Sequence, residues 1–159
     1  MLGLFFKREK IVEFKSPVSG ETVDLTEVPD QVFASKMVGD GIAFKPDQGI
    51  LFAPVSGEIV QVFPTKHAIG LRTKEGLEVL IHIGIDTVEM KGEGFKSFIK
   101  KNQRVQAGDK IMEFDLELIE KSTKSTLTPL IITNMTEVKS IKYYQGKVTP
   151  RTTVMKVRI

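Results

Sequence analysis

The chain has 159 residues, 41% hydrophobic and 27% charged, which is enough for one core needing no disulfide or metal staple. With no cysteine and only 2 histidines it excludes a disulfide scaffold, a thiolate zinc site, a cysteine nucleophile and a three-histidine metal centre. Its 23 basic and 20 acidic residues are dispersed and net only +3, too mild a field to point to a nucleic-acid partner.

The chain opens on an apolar stretch, Met1–Phe6, cut short by Lys7-Arg-Glu-Lys10. A signal peptide places its charges before the apolar run, and no run approaches the roughly 18 residues of a membrane span. The expectation is a cytoplasmic protein with a mobile arm over 1–12 and a single domain over 13–159. Membrane contact is at most peripheral, through Leu4, Phe5 and Phe6.

From there β signals dominate. Short runs rich in Val, Ile and Phe, separated by Gly, Pro, Asp and Ser, predict strands over 11–14, 21–25, 41–44, 50–53, 58–63, 68–72, 77–83, 110–115, 130–133, 138–143 and 153–158. Short helices are expected over 29–34, 94–101, where apolar residues recur at 95, 98 and 99, and 116–123. Pro17-Val-Ser-Gly-Glu-Thr-Val23 returns as Pro54-Val-Ser-Gly-Glu-Ile-Val60, each copy a turn leading into a strand. The pattern predicts an all-β sandwich or barrel with approximate internal symmetry.

The reactive residues are the two histidines. Strand-like stretches flank Thr73-Lys-Glu-Gly76, a hairpin turn, and if Thr73 pairs with Gly76 then His67 faces His82. A three-residue loop shifts the register by one and leaves them adjacent. Alternation gives Leu77, Val79, Ile81 and Ile83 one face of their strand and Glu78, Leu80, His82 and Gly84 the other. On the partner strand it groups Thr65, His67, Ile69 and Leu71. The expected patch is a histidine pair framed by Ile69 and Leu80, with Thr65 opposite Gly84.

Two adjacent imidazoles admit three readings. They are a structural pair bonded to backbone, a metal site with Asp86 as third ligand, or a nucleophile and its helper in phosphoryl transfer. In the last, Thr65 orients His67, and the absence of Lys or Arg from the expected face suits a group that is passed on rather than held. A biotinyl or lipoyl carrier lysine at Lys91 and a metallopeptidase fit poorly. Lys91 lacks a second neighbouring methionine, and a peptidase needs more histidines.

The stretches Thr65-Lys-His-Ala68, Val79-Leu-Ile-His-Ile-Gly-Ile-Asp-Thr-Val88 and Lys91-Gly-Glu-Gly-Phe95 closely resemble the glucose-type enzyme IIA of the bacterial phosphoenolpyruvate-dependent sugar phosphotransferase system. So do Val38-Gly-Asp-Gly-Ile42, Glu113-Phe-Asp115 and Lys124-Ser-Thr-Leu-Thr-Pro129. The resemblance runs from about residue 14 to the C-terminus. It implies an antiparallel β-sandwich with barrel character, of the duplicated hybrid motif type, carrying short helices only. It also implies a phosphoryl carrier without metal or other cofactor. By position, His82 matches the histidine phosphorylated at Nε2 by the phosphocarrier HPr, His67 the histidine that stabilises the group, and Thr65 the threonine bonded to it. Asp40 and Asp86 match acidic residues flanking the site, and Phe33, Val38, Phe63, Ile69, Leu80 and Val88 an apolar partner-binding rim. The next acceptor implied is the cysteine of a IIB domain, and the resemblance also implies binding of regulatory targets by the unphosphorylated form. Ser140 stands where some relatives carry an acidic residue for an intermolecular zinc contact.

Overall fold

In the computed structural model residues 9–159 are described. Three antiparallel sheets account for almost all of the regular structure. The strands are β1 (Ile11–Lys15), β2 (Gly20–Val23), β3 (Asp40–Pro46), β4 (Ile50–Phe52), β5 (Gly57–Val62), β6 (Ala68–Thr73), β7 (Glu78–His82), β8 (Phe95–Ser97), β9 (Arg104–Val105), β10 (Lys110–Phe114), β11 (Thr128–Ile132), β12 (Ser140–Tyr143), β13 (Lys147–Val148) and β14 (Thr153–Arg158). Two short helices, α1 (Gln31–Ala34) and α2 (Leu116–Ser122), and 3-10 turns at Leu25–Glu27, Thr87–Met90 and Met135–Glu137 complete the described elements. The architecture is a β-sandwich, as expected.

The largest sheet has eight strands in the order β13-β2-β3-β11-β7-β6-β5-β9, with smaller sheets β1-β14-β12 and β4-β10-β8. Its order is symmetric about the β11–β7 seam, and the sequence repeat falls on that symmetry. The repeat glycines open β2 and β5, with Gly20 opposite Pro46 and Gly57 opposite Thr73. A Cβ on either would run into a carbonyl oxygen of the neighbouring strand, that of Lys45 or Arg72. Each copy is then closed by a two-residue edge strand, β13 on β2 and β9 on β5. Edges this short offer little template for further strand pairing.

Cross-strand register sorts the side chains of this sheet. The row Ile42, Leu130, Ile81 and Ile69 faces the main core, where all four are at most 3% exposed. That core also holds Phe14, Phe44, Leu51, Ile59, Leu71, Leu77, Ile83 and Ile111. The row one residue along, Gly41, Ile131, Leu80 and Gly70, belongs to the opposite face. A smaller cluster of Leu25, Val28, Phe33, Ala43, Ile85 and Ile131 covers part of that face.

Three expectations are corrected. Ile11 and Val12, given both to the arm and to the first expected strand, belong to the strand: they pair with Arg158 and Val157, and Val12 is 4% exposed. The rest of the expected arm, with Leu4, Phe5 and Phe6, lies outside the described residues. The helix expected over 94–101 is strand β8 and a turn: Phe95–Ser97 pairs with β10, and the Ser97 hydroxyl accepts the amide of Ile99 at 3.2 Å. Helical spacing of three apolar residues was overridden by strand pairing and a local serine turn. Leu25 leaves its strand because Asp24 caps a 3-10 turn through the Thr26 amide at 2.9 Å. The helices over 31–34 and 116–122 fall where expected, each opened by an aspartate: Asp30 accepts from Val32 and Asp115 from Leu118.

Candidate active site

His82 is the last residue of β7, on the less covered face of the large sheet. The residue opposite it is Ala68, not His67, so the hairpin runs in the register shifted by one. His67 precedes β6 and follows Lys66, whose φ of 60° is left-handed. This kink, closed by the Lys66 amide on the Phe63 carbonyl at 2.7 Å, interrupts strand alternation just before β6. The result is a contact that alternation alone does not give: the imidazole centroids of His67 and His82 are 4.9 Å apart, with planes at 79°.

The pair continues outward on both sides. Phe33 of α1 meets His82 edge to face at 5.0 Å, and Phe63 meets His67 at 5.6 Å. The four rings form a chain, Phe33–His82–His67–Phe63, in which two apolar rings limit the positions of two reactive ones.

Hydrogen bonds set the tautomers. His82 Nδ1 lies 2.7 Å from the Gly84 carbonyl oxygen, which can only accept, so Nδ1 carries the proton and donates. Nε2 of His82 is therefore the nitrogen with a free lone pair. His67 Nδ1 lies 2.5 Å from Thr65 Oγ1, two residues away across the kink. When that hydroxyl donates, Nε2 of His67 bears a hydrogen that can be offered to an anion.

Burial disfavours the charged form of both rings. Burial lowers the His67 pKa to about 4, with the neighbouring His82 adding to the shift. Burial also lowers His82, while the hydrogen bond to Gly84 and the charges of Asp30 and Asp86 act in the other direction. A neutral imidazole with one unprotonated nitrogen is a nucleophile, and a neighbouring neutral N–H is a donor for the oxygens of an incoming group.

The remaining site residues divide. Asp86 flanks the pair in a left-handed conformation, φ 65°, and its carboxylate makes no capping bond to the turn that follows. Phe63, Val38 and Leu80 are half-buried, Phe33 is 7% exposed and Val88 is 49% exposed. Val38 and Leu80 pack on the small cluster beside Phe33. Ile69 does not join them: it is fully buried in the main core, paired with Ile81 on the far face of the sheet, because Ala68 rather than Ile69 shares the His82 row. Asp40 is also elsewhere. Its register partner Ile132 aligns with Val79, on the main-core side, and its carboxylate accepts from the Gly41 amide at 2.8 Å and pairs with Lys36 at 3.6 Å.

The acidic residue missed from sequence is Asp30, whose charge bears on His82 ahead of that of Asp86. It also caps α1, so one carboxylate both seats the helix that carries Phe33 and biases the ring that Phe33 touches. The Val-Pro-Asp sequence before an apolar helix was its signal. Two exposed apolar residues also missed, Val32 at 44% and Met37 at 75%, extend the surface from α1. Among the described residues no group of three His, Cys, Asp or Glu side chains could hold a metal ion, and no helix is long and apolar enough to cross a membrane.

The family described as "phosphoenolpyruvate-dependent sugar phosphotransferase system, EIIA 1" matches residues 12–138. A glucose-specific EIIA component of Bacillus cereus is 49% identical over 158 residues, covering 98% of this chain and 94% of that protein. A glucose-specific EIICBA component of Staphylococcus saprophyticus is 52% identical over 129 residues, covering 81% of this chain and 19% of that protein. In structure the chain is similar to the glucose permease IIA from Mycoplasma capricolum, with a TM-score of 0.87, 42% identity, and coverage of 96% of this chain and 97% of that one.

Proposed function

The chain belongs to the EIIA 1 family of the phosphoenolpyruvate-dependent sugar phosphotransferase system, and from that premise we propose that its phosphoryl carrier is Nε2 of His82. The observation that carries the proposal is the hydrogen bond from Nδ1 to the Gly84 carbonyl, which reserves Nε2 for attack. Nε2 attacks the phosphorus of a phosphohistidine on HPr. The donor's P–N bond breaks and its electron pair returns to the donor imidazole. The phosphorylated ring of His82 then carries positive charge, which the Gly84 carbonyl accommodates at Nδ1. That charge weakens the new P–N bond and readies the group for departure. In the second transfer a cysteine thiolate of a IIB domain attacks the same phosphorus, and His82 returns to its neutral form.

His67 donates from Nε2 to the phosphoryl oxygens as charge redistributes, with Thr65 holding its other nitrogen. Asp30 and Asp86 disfavour permanent retention of a dianion and favour a basic partner surface. Val32, Phe33, Met37, Val38, Phe63, Leu80 and Val88 provide the apolar docking surface around the rings. A IIB partner is supported by the EIICBA names of longer relatives, and glucose as the transported sugar by the names of the EIIA relatives. This domain acts in the cytoplasm, and its unphosphorylated form presents the same face to regulatory targets.

The test is intact mass after incubation with phosphoenolpyruvate, enzyme I and HPr, comparing wild type with His82→Gln. One acid-labile phosphoryl group on the wild type and none on the variant is the expected result. Equal labelling of both would remove His82 from the role.

A further inference from the structure

The loop that follows His82 is pinned at three successive peptide units. The Ile83 amide donates to the His67 carbonyl at 2.7 Å, which fixes the His82–Ile83 unit. The Thr87 hydroxyl donates to the Ile83 carbonyl at 2.6 Å, which fixes the Ile83–Gly84 unit. The Ile85 amide donates to the Ser125 carbonyl at 2.9 Å. That amide shares a trans peptide with the Gly84 carbonyl, so the carbonyl is directed the other way, onto His82 Nδ1.

Thr87 has a second contact in this arrangement. Gly84 sits at φ +70°, and a Cβ built there would lie 2.6 Å from the Thr87 methyl carbon and 3.0 Å from the Ser125 carbonyl oxygen. The threonine methyl thus occupies the space beside Gly84 while its hydroxyl holds the preceding carbonyl. Thr87 is fully buried and spends its hydroxyl on this one acceptor. A 3-10 turn could start as well from many other residues, so the turn alone does not require a buried threonine here.

We propose that Thr87 is a positioning residue for phosphoryl transfer: through the Ile83–Gly84 peptide it keeps the Gly84 carbonyl on Nδ1 of His82, and so keeps Nε2 as the accepting nitrogen. This deepens the reading of His82 as acceptor and rests on it. Losing the hydroxyl frees the Ile83–Gly84 peptide, so that Gly84 can turn about its φ and its carbonyl is left held only from the Ile85–Ser125 side; the ring then samples the tautomer with its proton on Nε2, which cannot accept.

The experiment measures ¹⁵N shifts of His82 in unphosphorylated, histidine-labelled protein, together with the rate of phosphoryl acceptance from phospho-HPr. Wild type is expected to hold its proton on Nδ1. Thr87→Val, which keeps the shape and loses the hydroxyl, is expected to show mixed tautomers and a roughly tenfold slower acceptance at unchanged KM. Thr87→Ala gives the same result by a smaller side chain, and Thr87→Ser restores both tautomer and rate. A folded Thr87→Val or Thr87→Ala with the wild-type tautomer and rate would overturn the proposal, as would a change in KM alone. Whether His82 is the acceptor is read separately, from site mapping of phosphorylated wild type, so failure of that reading is not confused with failure of this one.

Discussion

The two halves of the eight-stranded sheet begin from the same heptapeptide pattern and end in different roles. In the first, the connection between β2 and β3 spans residues 24–39 and holds a 3-10 turn and α1. It lays Leu25, Val28 and Phe33 over the sheet. In the second, the corresponding connection between β5 and β6 is only residues 63–67, a tight turn through left-handed Lys66. It contributes Phe63, Thr65 and His67. The repeat builds a common frame, and the unequal loops on one face of it build the site. The long loop supplies an apolar wall and a carboxylate, the short one a second imidazole held by a hydroxyl. His82 stands at the seam between them, touching Phe33 from one half and His67 from the other.

The division of labour can be broken one piece at a time. His82→Gln removes the ring both halves serve, and phosphoryl acceptance is expected to vanish while the far-ultraviolet circular dichroism is unchanged. His67→Gln takes the imidazole from the short loop. It is expected to remain labelled by phospho-HPr but to pass the group to a IIB cysteine on the order of 100-fold more slowly, as befits loss of one transition-state donor, read by rapid quench. Phe33→Ala opens the wall of the long loop, where Phe33 is 7% exposed; about 3 kcal/mol of stability is expected to go, measured by urea unfolding.

Acid tests the short loop most strongly, with buried His82 adding a decline of the same sign. His67 in the folded protein binds its proton only near pH 4, whereas unfolded it does so near 6.5. Between those values the unfolded state holds more protons, so stability is fully present above about pH 6.5 and declines as pH falls toward 4, by at most ~3 kcal/mol from this group. His67→Gln should flatten that decline in unfolding measured from pH 7 to 4. Asp30→Asn gives the smallest effect and tests the long loop's charge: asparagine still caps α1, so the fold is kept, and the His82 titration followed by NMR should move to lower pH because an anion that favoured the imidazolium is gone.

Much of this was legible in the sequence, for identifiable reasons. The strands around the histidines have strong period-two patterning and an unmistakable turn, so the hairpin and its register to within one residue followed from Thr73–Gly76. The short helices were legible in the stretches 29–34 and 116–123, the second from its start after Asp115. What failed depended on single backbone angles or on pairing across long sequence separation. Alternation extended through Lys66 puts Ile69 on the histidine face, but the left-handed residue there interrupts it. Asp40 was matched by its glycine neighbours, but the register of β3 against β11 turns it to the other side of the sheet. Nothing local to Asp30 says that α1 folds back onto β7; only the small apolar cluster brings it there. The strand at Phe95–Ser97 was hidden by spacing that suits a helix equally well.

Nε2 of His82, and no other nitrogen, is proposed to carry the phosphoryl group. The most direct test is ³¹P–¹⁵N coupling in the phosphorylated, histidine-labelled protein. One phosphorus signal coupled to Nε2 of His82, with Nδ1 of the same ring protonated, is the expected result. A phosphorus coupled to Nδ1 of His82, or to either nitrogen of His67, would contradict it.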